Sequence, residues 1–297
     1  MKNISFLKFY RTFIFLSLSL IIVSIFFLFN KGLNLGVDFK GGTLLEIQVT
    51  KITSSESIRS QFIDLNLGDV KVKEFGDSNI FLAILEKKNN EKQYINNLKK
   101  NLEKKLNDSI DFRRVEIVGP KVSSELSRSG LYAISISLIF ILIYIWFRFE
   151  WQFSIGAIVA LLHDVLLTLG IFSITSIEFN LSIIAAVLTI VGYSINDTVV
   201  IYDRIRENLK KDENSNLIGI LNISINETLP RTLKTSLTTL LALIAIYIFG
   251  GEILRGFSFA LIWGVIIGTY SSIFIASPIL LILKVKRNWD EVIDNTP

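Results

Sequence analysis

LSIIAAVLTIVGYSINDTVVIY, residues 181–202, sets the terms for the whole chain. The run is long enough to cross a bilayer, which takes about 20 apolar residues, yet Asn196 and Asp197 lie inside it. A carboxylate at that depth costs about 2.5–3.5 kcal/mol on insertion scales. Such residues face a protein interior or a wet cavity and mark functional sites by default. Asp197 is therefore expected to be a protonatable group in a membrane machine. Asp203, Arg204, Arg206 and Glu207 follow at once and read as a helix end anchored in solvent at the membrane edge.

Composition points the same way. Hydrophobic residues make up 51% of the 297, and the mean hydropathy of +0.51 is too high for an ordinary soluble domain. Absence of cysteine excludes disulfides and thiolate metal sites. The formal charge of +4 matters less than where the charges fall. Apolar runs at Thr12–Phe29, Leu131–Phe147, Phe153–Ile174, Leu181–Tyr202, Thr232–Phe249 and Phe257–Leu283 predict six membrane helices, the last long enough to tilt or to end at the interface. The first follows Lys2, Lys8 and Arg11. It is too bulky for a cleavable signal and lacks a small-residue cleavage site, so it reads as a retained signal anchor.

Basic residues set the expected orientation. Lys2, Lys8 and Arg11, then Arg148, then Arg204, Arg206, Lys210 and Lys211, then Lys284, Lys286 and Arg287 fall on one side. The opposite short loops hold Arg255 with Glu178 and Glu252. Both termini are thus expected in the cytoplasm. Tyr10, Trp146, Trp151 and Tyr202 end their runs and read as interfacial aromatics. The expected division is residues 1–29 as N-terminus and first span, 30–129 as an extracytoplasmic domain, 130–283 as five spans with a cytoplasmic loop at 203–231, and 284–297 as a cytoplasmic tail.

The insert has a legible pattern. Strands are predicted at Thr43–Thr50, Val70–Phe75, Ile80–Glu86 and Phe112–Val118, with turn residues at Gly76–Asn79. Helices are predicted at Ser55–Leu65 and Asn90–Leu106, the latter with an apolar stripe of Tyr94, Ile95, Leu98, Leu102 and Leu106. That order is βαββαβ, the ferredoxin-like split βαβ. Ahead of it stands LGVDFKGGT, Leu35–Thr43. Gly36, Gly41 and Gly42 allow sharp turns and Asp38 suits a turn or cap, so the stretch reads as a tight exit from the first helix into the first strand. A phosphate cradle is not expected, because no Gly-Lys-Ser/Thr ending follows and no helix is predicted here.

Later spans carry small and polar residues at helical steps: Gly156, Ala160, Asp164 and Thr168; Ser182, Ala185, Thr189, Tyr193 and Asn196; Ala260, Gly264, Gly268 and Ser272. Such stripes let helices approach one another or a partner. The first run lacks them and reads as a lipid-facing anchor. Between the fourth and fifth runs, Ile205–Lys211 reads as a helical extension and Leu217–Ile225 as an amphipathic surface helix. Pro230 suits a helix start, with Arg231 in its first turn.

The ionisable residues of the spans carry the chemistry. Burial and a neighbouring cation act on a carboxyl group in opposite senses, so Asp197 with Arg231 as a movable cation makes a candidate proton site; a static ion pair is the alternative. His163, the sole histidine, stands beside Asp164 near a span's middle. That pair either relays protons or holds neighbouring helices by hydrogen bonds. Adjacent residues do not share a helix face, so at most one of the two points at the Asp197 stripe. One histidine and no cysteine cannot build a His-rich or thiolate zinc site. There is no HExxH, GxSxG or Walker motif. No enzymatic activity, cofactor, metal or nucleic-acid partner is expected.

The stretches LGVDFKGGT, VGYSINDTVVIYDRIREN (Val191–Asn208), PRTLKTSLTTL (Pro230–Leu240) and FGGEILRGFSFALIWGVIIGTYSSIFIASP (Phe249–Pro278) together resemble the SecF proteins of the SecD/SecF family, in the RND superfamily. The resemblance implies a subunit paired with SecD in a twelve-helix assembly of the bacterial inner membrane. It implies work alongside SecYEG and SecA, with YajC and YidC as further partners, using the proton motive force to move exported unfolded polypeptides. It places the family's membrane aspartate on Asp197, within Asn196-Asp197-Thr198, its arginine on Arg231, and its signature on Gly36, Asp38, Gly41 and Gly42. His163-Asp164 matches a family pattern, and Lys40 stands where a small hydroxyl residue is more usual. The other readings are half of an RND-like proton-coupled small-molecule exporter, a passive translocon scaffold with Asp197–Arg231 as a lock, and, more distantly, an intramembrane enzyme.

Overall fold

In lipid every backbone polar group needs an internal partner, so long apolar runs fold as helices. The computed structural model describes residues 4–50, 54–65, 70–75, 77–85, 92–106, 108–211 and 216–285. A 3-10 turn at Phe6–Phe9 and α1 (Tyr10–Asn30) lead to a one-turn helix α2 (Val37–Lys40). Then come β1 (Gly42–Val49), α3 (Ser55–Ile63), β2 (Val70–Phe75), β3 (Asp77–Leu85), α4 (Lys92–Leu106) and β4 (Ile110–Val118). The rest is helical: α5 (Pro120–Arg148), α6 (Trp151–Thr175), α7 (Leu181–Lys211), α8 (Leu217–Phe249), α9 (Gly251–Ser271), a π-helical turn Ser272–Ala276 and α10 (Ser277–Ile282). Among the described residues, six helices are long and apolar enough to cross a membrane. The chain divides into two compact units, Leu35–Ala133 with Glu178–Leu181, and the remainder.

The smaller unit holds a four-stranded antiparallel sheet in the order β2-β3-β1-β4. Central β1 pairs with both β3 and β4. Each helix joins strands that are not neighbours, so β3 separates β1 from β2, the connectivity of a split βαβ. Leu45, Ile47, Phe81, Ala83 and Leu85 from the sheet pack on Ile58 and Phe62 of α3 and on Leu98 and Leu102 of α4. The Ser54 hydroxyl accepts from the Ser57 N–H and caps α3.

In the larger unit, 56% of the α6 window, 50% of α7 and 61% of the last span are buried, against 11% of α1 and α5 and 17% of α8. The first three are therefore the centre of the bundle. Phe149, Phe153, Tyr202, Leu221, Ala276 and Leu280 belong to one apolar core. Close approach is built on glycine. A Cβ at Gly268 would stand 2.9 Å from the Ser194 Cβ, and one at Gly170 would stand 2.9 Å from the Ser24 Cα. The N-terminal segment docks on α8, where Asn226 and Asn222 accept the N–H groups of Ile4 and Leu7.

Several expectations are corrected. Tyr202 is not an interfacial aromatic: it is fully buried, packs edge-on against Phe149 and Phe153, and donates to the Ala276 carbonyl. The helical extension expected at Ile205–Lys211 is present, since α7 continues to Lys211, but Leu217–Ile225 is not a separate surface helix: α8 runs unbroken from Leu217 through Pro230 into the fifth span. Nearby, the Thr228 hydroxyl donates to the Ser224 and Ile225 carbonyls, the kind of side-chain bond that helps proline sit inside membrane helices. Asp203, Arg204 and Arg206 are not simply solvated, since they pair with Arg148, Glu227 and Glu150. Ahead of the second predicted span, residues 120–129 are already helical: proline suits a first helical turn, and Ser123, Ser124 and Ser127 bond back to carbonyls three or four residues earlier. Val37–Lys40 forms a helical turn where none was expected. Lys2, Gly76, Glu86, Asn90, Lys286, Arg287 and nearly all of the expected tail lie outside the described residues.

Candidate functional site

Helix α7 presents two unlike faces. Ile190, Val191, Ser194, Asp197, Thr198 and Ile201 are buried, at the three- and four-residue steps that share one helix side. Ser182, Ala185, Thr189, Gly192 and Asn196 are exposed on the other. The adjacent Asn196 and Asp197 therefore point apart.

Asp197 is 3% exposed, and its Oδ2 has no hydrogen-bond partner among the described residues. Thr269 of α9 is its hydrogen-bonding neighbour and Arg231 of α8 the cation whose charge reaches it. The Thr269 hydroxyl meets that of Ser236 on α8 at 2.8 Å, and the Tyr193 hydroxyl donates to Ser236 at 3.5 Å. Three helices thus converge beside one carboxyl group through a chain of hydroxyls. Arg231 itself is exposed, and among the described residues it makes no ion pair within 4.0 Å. The expected Asp197–Arg231 contact is open in this conformation.

Asp164 is fully buried and saturated. Its Oδ2 accepts from Ser194 of α7 (2.5 Å) and Ser271 of α9 (2.8 Å), while Oδ1 faces His163 Nδ1 at 3.0 Å. His163 is equally buried, stacks on Tyr270, and leaves Nε2 without a partner. The Tyr270 hydroxyl donates to the Phe13 carbonyl and lies 2.8 Å from Ser17 Oγ, both on α1. The two neighbours touch each other but have different outer partners: Asp164 meets Ser194 of α7 and Ser271 of α9, and His163 stacks on Tyr270 of α9.

A ladder of hydroxyls runs from Asp164 along the buried face of α7 that also carries Asp197. Ser272 donates to the Ser194 and Gly268 carbonyls and lies 2.8 Å from the Thr198 hydroxyl. Ser194, bonded to Asp164, stands three residues before Asp197 on the same buried face. The π-helical turn starts at Ser272; its extra residue re-aims this serine and its neighbour Ser271, and π turns recur at functional sites. Of these hydroxyl residues, Ser272 stands in a small-residue stripe of the sequence, Thr198 beside Asp197 and Ser236 in the hydroxyl-rich start of the fifth span; Ser194, Thr269 and Ser271 carry no such mark. Their signal is present as Ser194, Asp197 and Thr198 at i, i+3 and i+4, facing Gly268, Ser271 and Ser272.

The signature residues do not join this seam. Asp38 Oδ2 accepts from the Leu181 N–H at 2.9 Å, at the start of α7. The Gly36 N–H donates to the Phe179 carbonyl at 2.9 Å. A Cβ on Gly36 would lie 2.6 Å from Glu178 Oε1. Gly41 and Gly42 have φ of 70° and 132°, values that favour glycine. Among the described residues no group of His, Asp and Glu side chains is placed to hold a metal ion. What the seam can do is hold or release a proton at Asp197 and re-pair hydroxyls around it.

Residues 98–286 match the C-terminal region of the protein-export membrane proteins SecD/SecF, and residues 26–51 match the SecD/SecF GG motif. The chain belongs to the SecD/SecF family. Among its relatives, the protein translocase subunit SecF of Rickettsia akari is 44% identical over 281 residues, covering 94% of this chain and 91% of that one. The subunit SecF of Calditerrivibrio nitroreducens is 44% identical over 293 residues, 96% of each chain. The crystal structure of SecDF, a translocon-associated membrane protein from Thermus thermophilus, superposes with a TM-score of 0.86 at 34% identity, over 95% of this chain and 39% of that one. SecDF in a super-membrane-facing form superposes at 0.72, with the same 39% of its chain covered. The chain thus spans about two fifths of the length of those SecDF chains. As a SecD/SecF family member it is a multi-pass membrane protein with a Sec-related role in protein translocation. The GG match covers Gly36, Asp38, Gly41 and Gly42, and the C-terminal match covers Asp164, Asp197 and Arg231.

Proposed function

We propose that this chain is the SecF half of a proton-driven export device in the bacterial cytoplasmic membrane, paired with a SecD half and working beside SecYEG and SecA, with YajC and YidC as accessory neighbours. Its ligand is the exported unfolded polypeptide, met by the small sheet domain outside the membrane; it uses no cofactor and catalyses no bond making or breaking. Basic flanks at Arg11, Arg148, Arg204, Arg206 and Lys210 support cytoplasmic termini. The observation that carries the reading is Asp197: buried, with one carboxylate oxygen unpartnered, where α7, α8 and α9 meet. Protonation removes its charge and its attraction to Arg231. The hydroxyls of Thr269, Ser236 and Tyr193 then re-pair, and α7 shifts against α8 and α9. One charge moving through 100 mV supplies about 2.3 kcal/mol, enough to bias two arrangements of a packed seam. Asp164, tied by Ser194, Ser271 and His163, is the fixed end of the relay, and Asn196 faces the partner half.

The test is Asp197→Asn in vesicles carrying the complete translocation apparatus. The variant assembles normally and loses the export stimulation that depends on the proton gradient; an unchanged response would overturn the reading. A passive lock is the second reading, and it needs Asp197 and Arg231 in contact. Exchanging the two residues separates the cases: a lock is rescued, a proton carrier is not. Drug sensitivity without preprotein accumulation in a deletion strain would point to a small-molecule exporter.

A further inference from the structure

The family signature sits at the start of the helix that carries Asp197. The first N–H groups of a helix have no partner within it, and an acidic side chain there also meets the favourable end of the helix dipole. For α7 one of these groups, the Leu181 N–H, is taken by Asp38, 143 residues earlier in the chain. Asp38 lies in the one-turn helix α2, which passes through Gly41 and Gly42 directly into β1. β1 in turn is hydrogen-bonded on both edges, to β3 and to β4. The junction is reinforced beside the cap. The Gly36 N–H donates to the Phe179 carbonyl, Leu35 bridges Phe179 in parallel, and the Phe39 and Phe179 rings lie 6.0 Å apart. A Cβ on Gly36 would displace the Glu178 carboxyl group and press on the Asn180 Cβ at 3.3 Å. From the Leu181 amide to the central strand the path is one side-chain hydrogen bond, one helical turn and two glycines.

We infer that Asp38 is a positioning residue for transport: its cap on Leu181 makes the start of α7 and strand β1 move as one piece, so displacement of α7 at Asp197 is delivered to the sheet. This rests on the proton-driven reading above. The cap acts through its acceptor oxygen rather than its charge, since asparagine caps as well as aspartate. Proton handling stays with Asp197, and coupling belongs to Asp38.

The experiment uses the full chain with its partner half in energised vesicles, and reads amide exchange at Leu181, proton uptake and gradient-dependent export. Asp38→Ala lowers protection of the Leu181 amide by about tenfold, keeps proton uptake and loses most of the export stimulation. Asp38→Asn restores protection and export to within about twofold of the parent, as an equivalent cap should. Alanine exporting like the parent, or asparagine failing as badly as alanine, overturns the inference. A variant that does not depend on removing the cap is available because the chain has no cysteine. Phe39→Cys with Phe179→Cys, cross-linked, leaves stimulation intact if the junction moves as one piece; loss of stimulation on cross-linking overturns it. Asp197→Asn run in parallel keeps the two readings apart. If that variant still responds to the gradient, the proton reading has failed, and the Asp38 pair and the cross-link are then judged on export alone.

Discussion

Asp164 and Asp197 are buried acids close together in one seam with opposite surroundings. Three side chains satisfy the first, while the second keeps an oxygen open. Both acids are plain in the sequence, because a charge in an apolar run is conspicuous. Which is tied and which is free is not, because it turns on serine rotamers and on a π turn that no spacing announces. Glu178 was legible only as an acid in a short loop. In the fold it is half-buried, with its carboxyl group beside Gly36. Burial, above all, raises its pKa from 4.5; Asp38 pushes the same way, while Lys73, Lys71 and Arg114 pull it down. The sign of the linkage follows. The folded form holds this proton more tightly than the unfolded chain, so the contribution is fully present below pH 4.5 and is lost as pH rises through the raised value. Glu178→Gln therefore stabilises the sheet unit at neutral pH and flattens its stability profile between mild acid and neutrality. Amide exchange of β1 against pH in the parent and variant measures it, and a parallel pair of profiles would refute the assignment.

At the scale of elements, span number, strand order and helix stripe were all readable, because length and periodicity are local properties. Continuity was not. Pro230 and the serine-rich stretch 120–129 carry the marks of helix ends, yet α8 and α5 run through them. Hydroxyl bonds to nearby carbonyls accompany both stretches, and composition alone reads such residues as breakers. The first span is likewise more than an anchor. Ser17 and Ser24 are its buried residues, and α1 packs along α6. Ser24 is close enough to Gly170 that an added Cβ would meet the backbone Cα at 2.9 Å. No rotamer relieves that clash, so the helices must separate. Gly170→Ala is expected to cost about 1–3 kcal/mol, the usual range for overpacking. Gly192→Ala, with no atom within 4 Å of the new Cβ, is instead expected to stabilise by about 1 kcal/mol or less, the helix-propensity gain of alanine over glycine. Unfolding in a detergent series separates them; equal stability of the two variants would mean that α1 is not seated on α6 as described.

At the scale of the whole molecule, the exposed face of α7 is the feature the chain leaves unfinished. Ser182, Ala185, Thr189, Gly192 and Asn196 line it, while Arg231, Lys234, Thr235 and Thr238 are exposed on α8. Lipid offers no hydrogen bonds to such groups, and stripes of small residues serve close helix contact. The chain spans 39% of the SecDF chain it superposes on, and in the pairing proposed above the partner half is what covers the face. Gly192 is the sharpest probe, because it is exposed and a Cβ there meets nothing in this chain. Gly192→Leu should leave this chain folded, with an unchanged unfolding midpoint, and should reduce retention of the partner half on co-purification by at least about tenfold, as loss of close helix contact in lipid implies. Phe15→Leu, an equally lipid-sized change at a 71% exposed site on α1, should leave retention unaltered. If the Gly192 variant holds its partner as the parent does, the small-residue face of α7 is a lipid surface, and the partner half seats elsewhere.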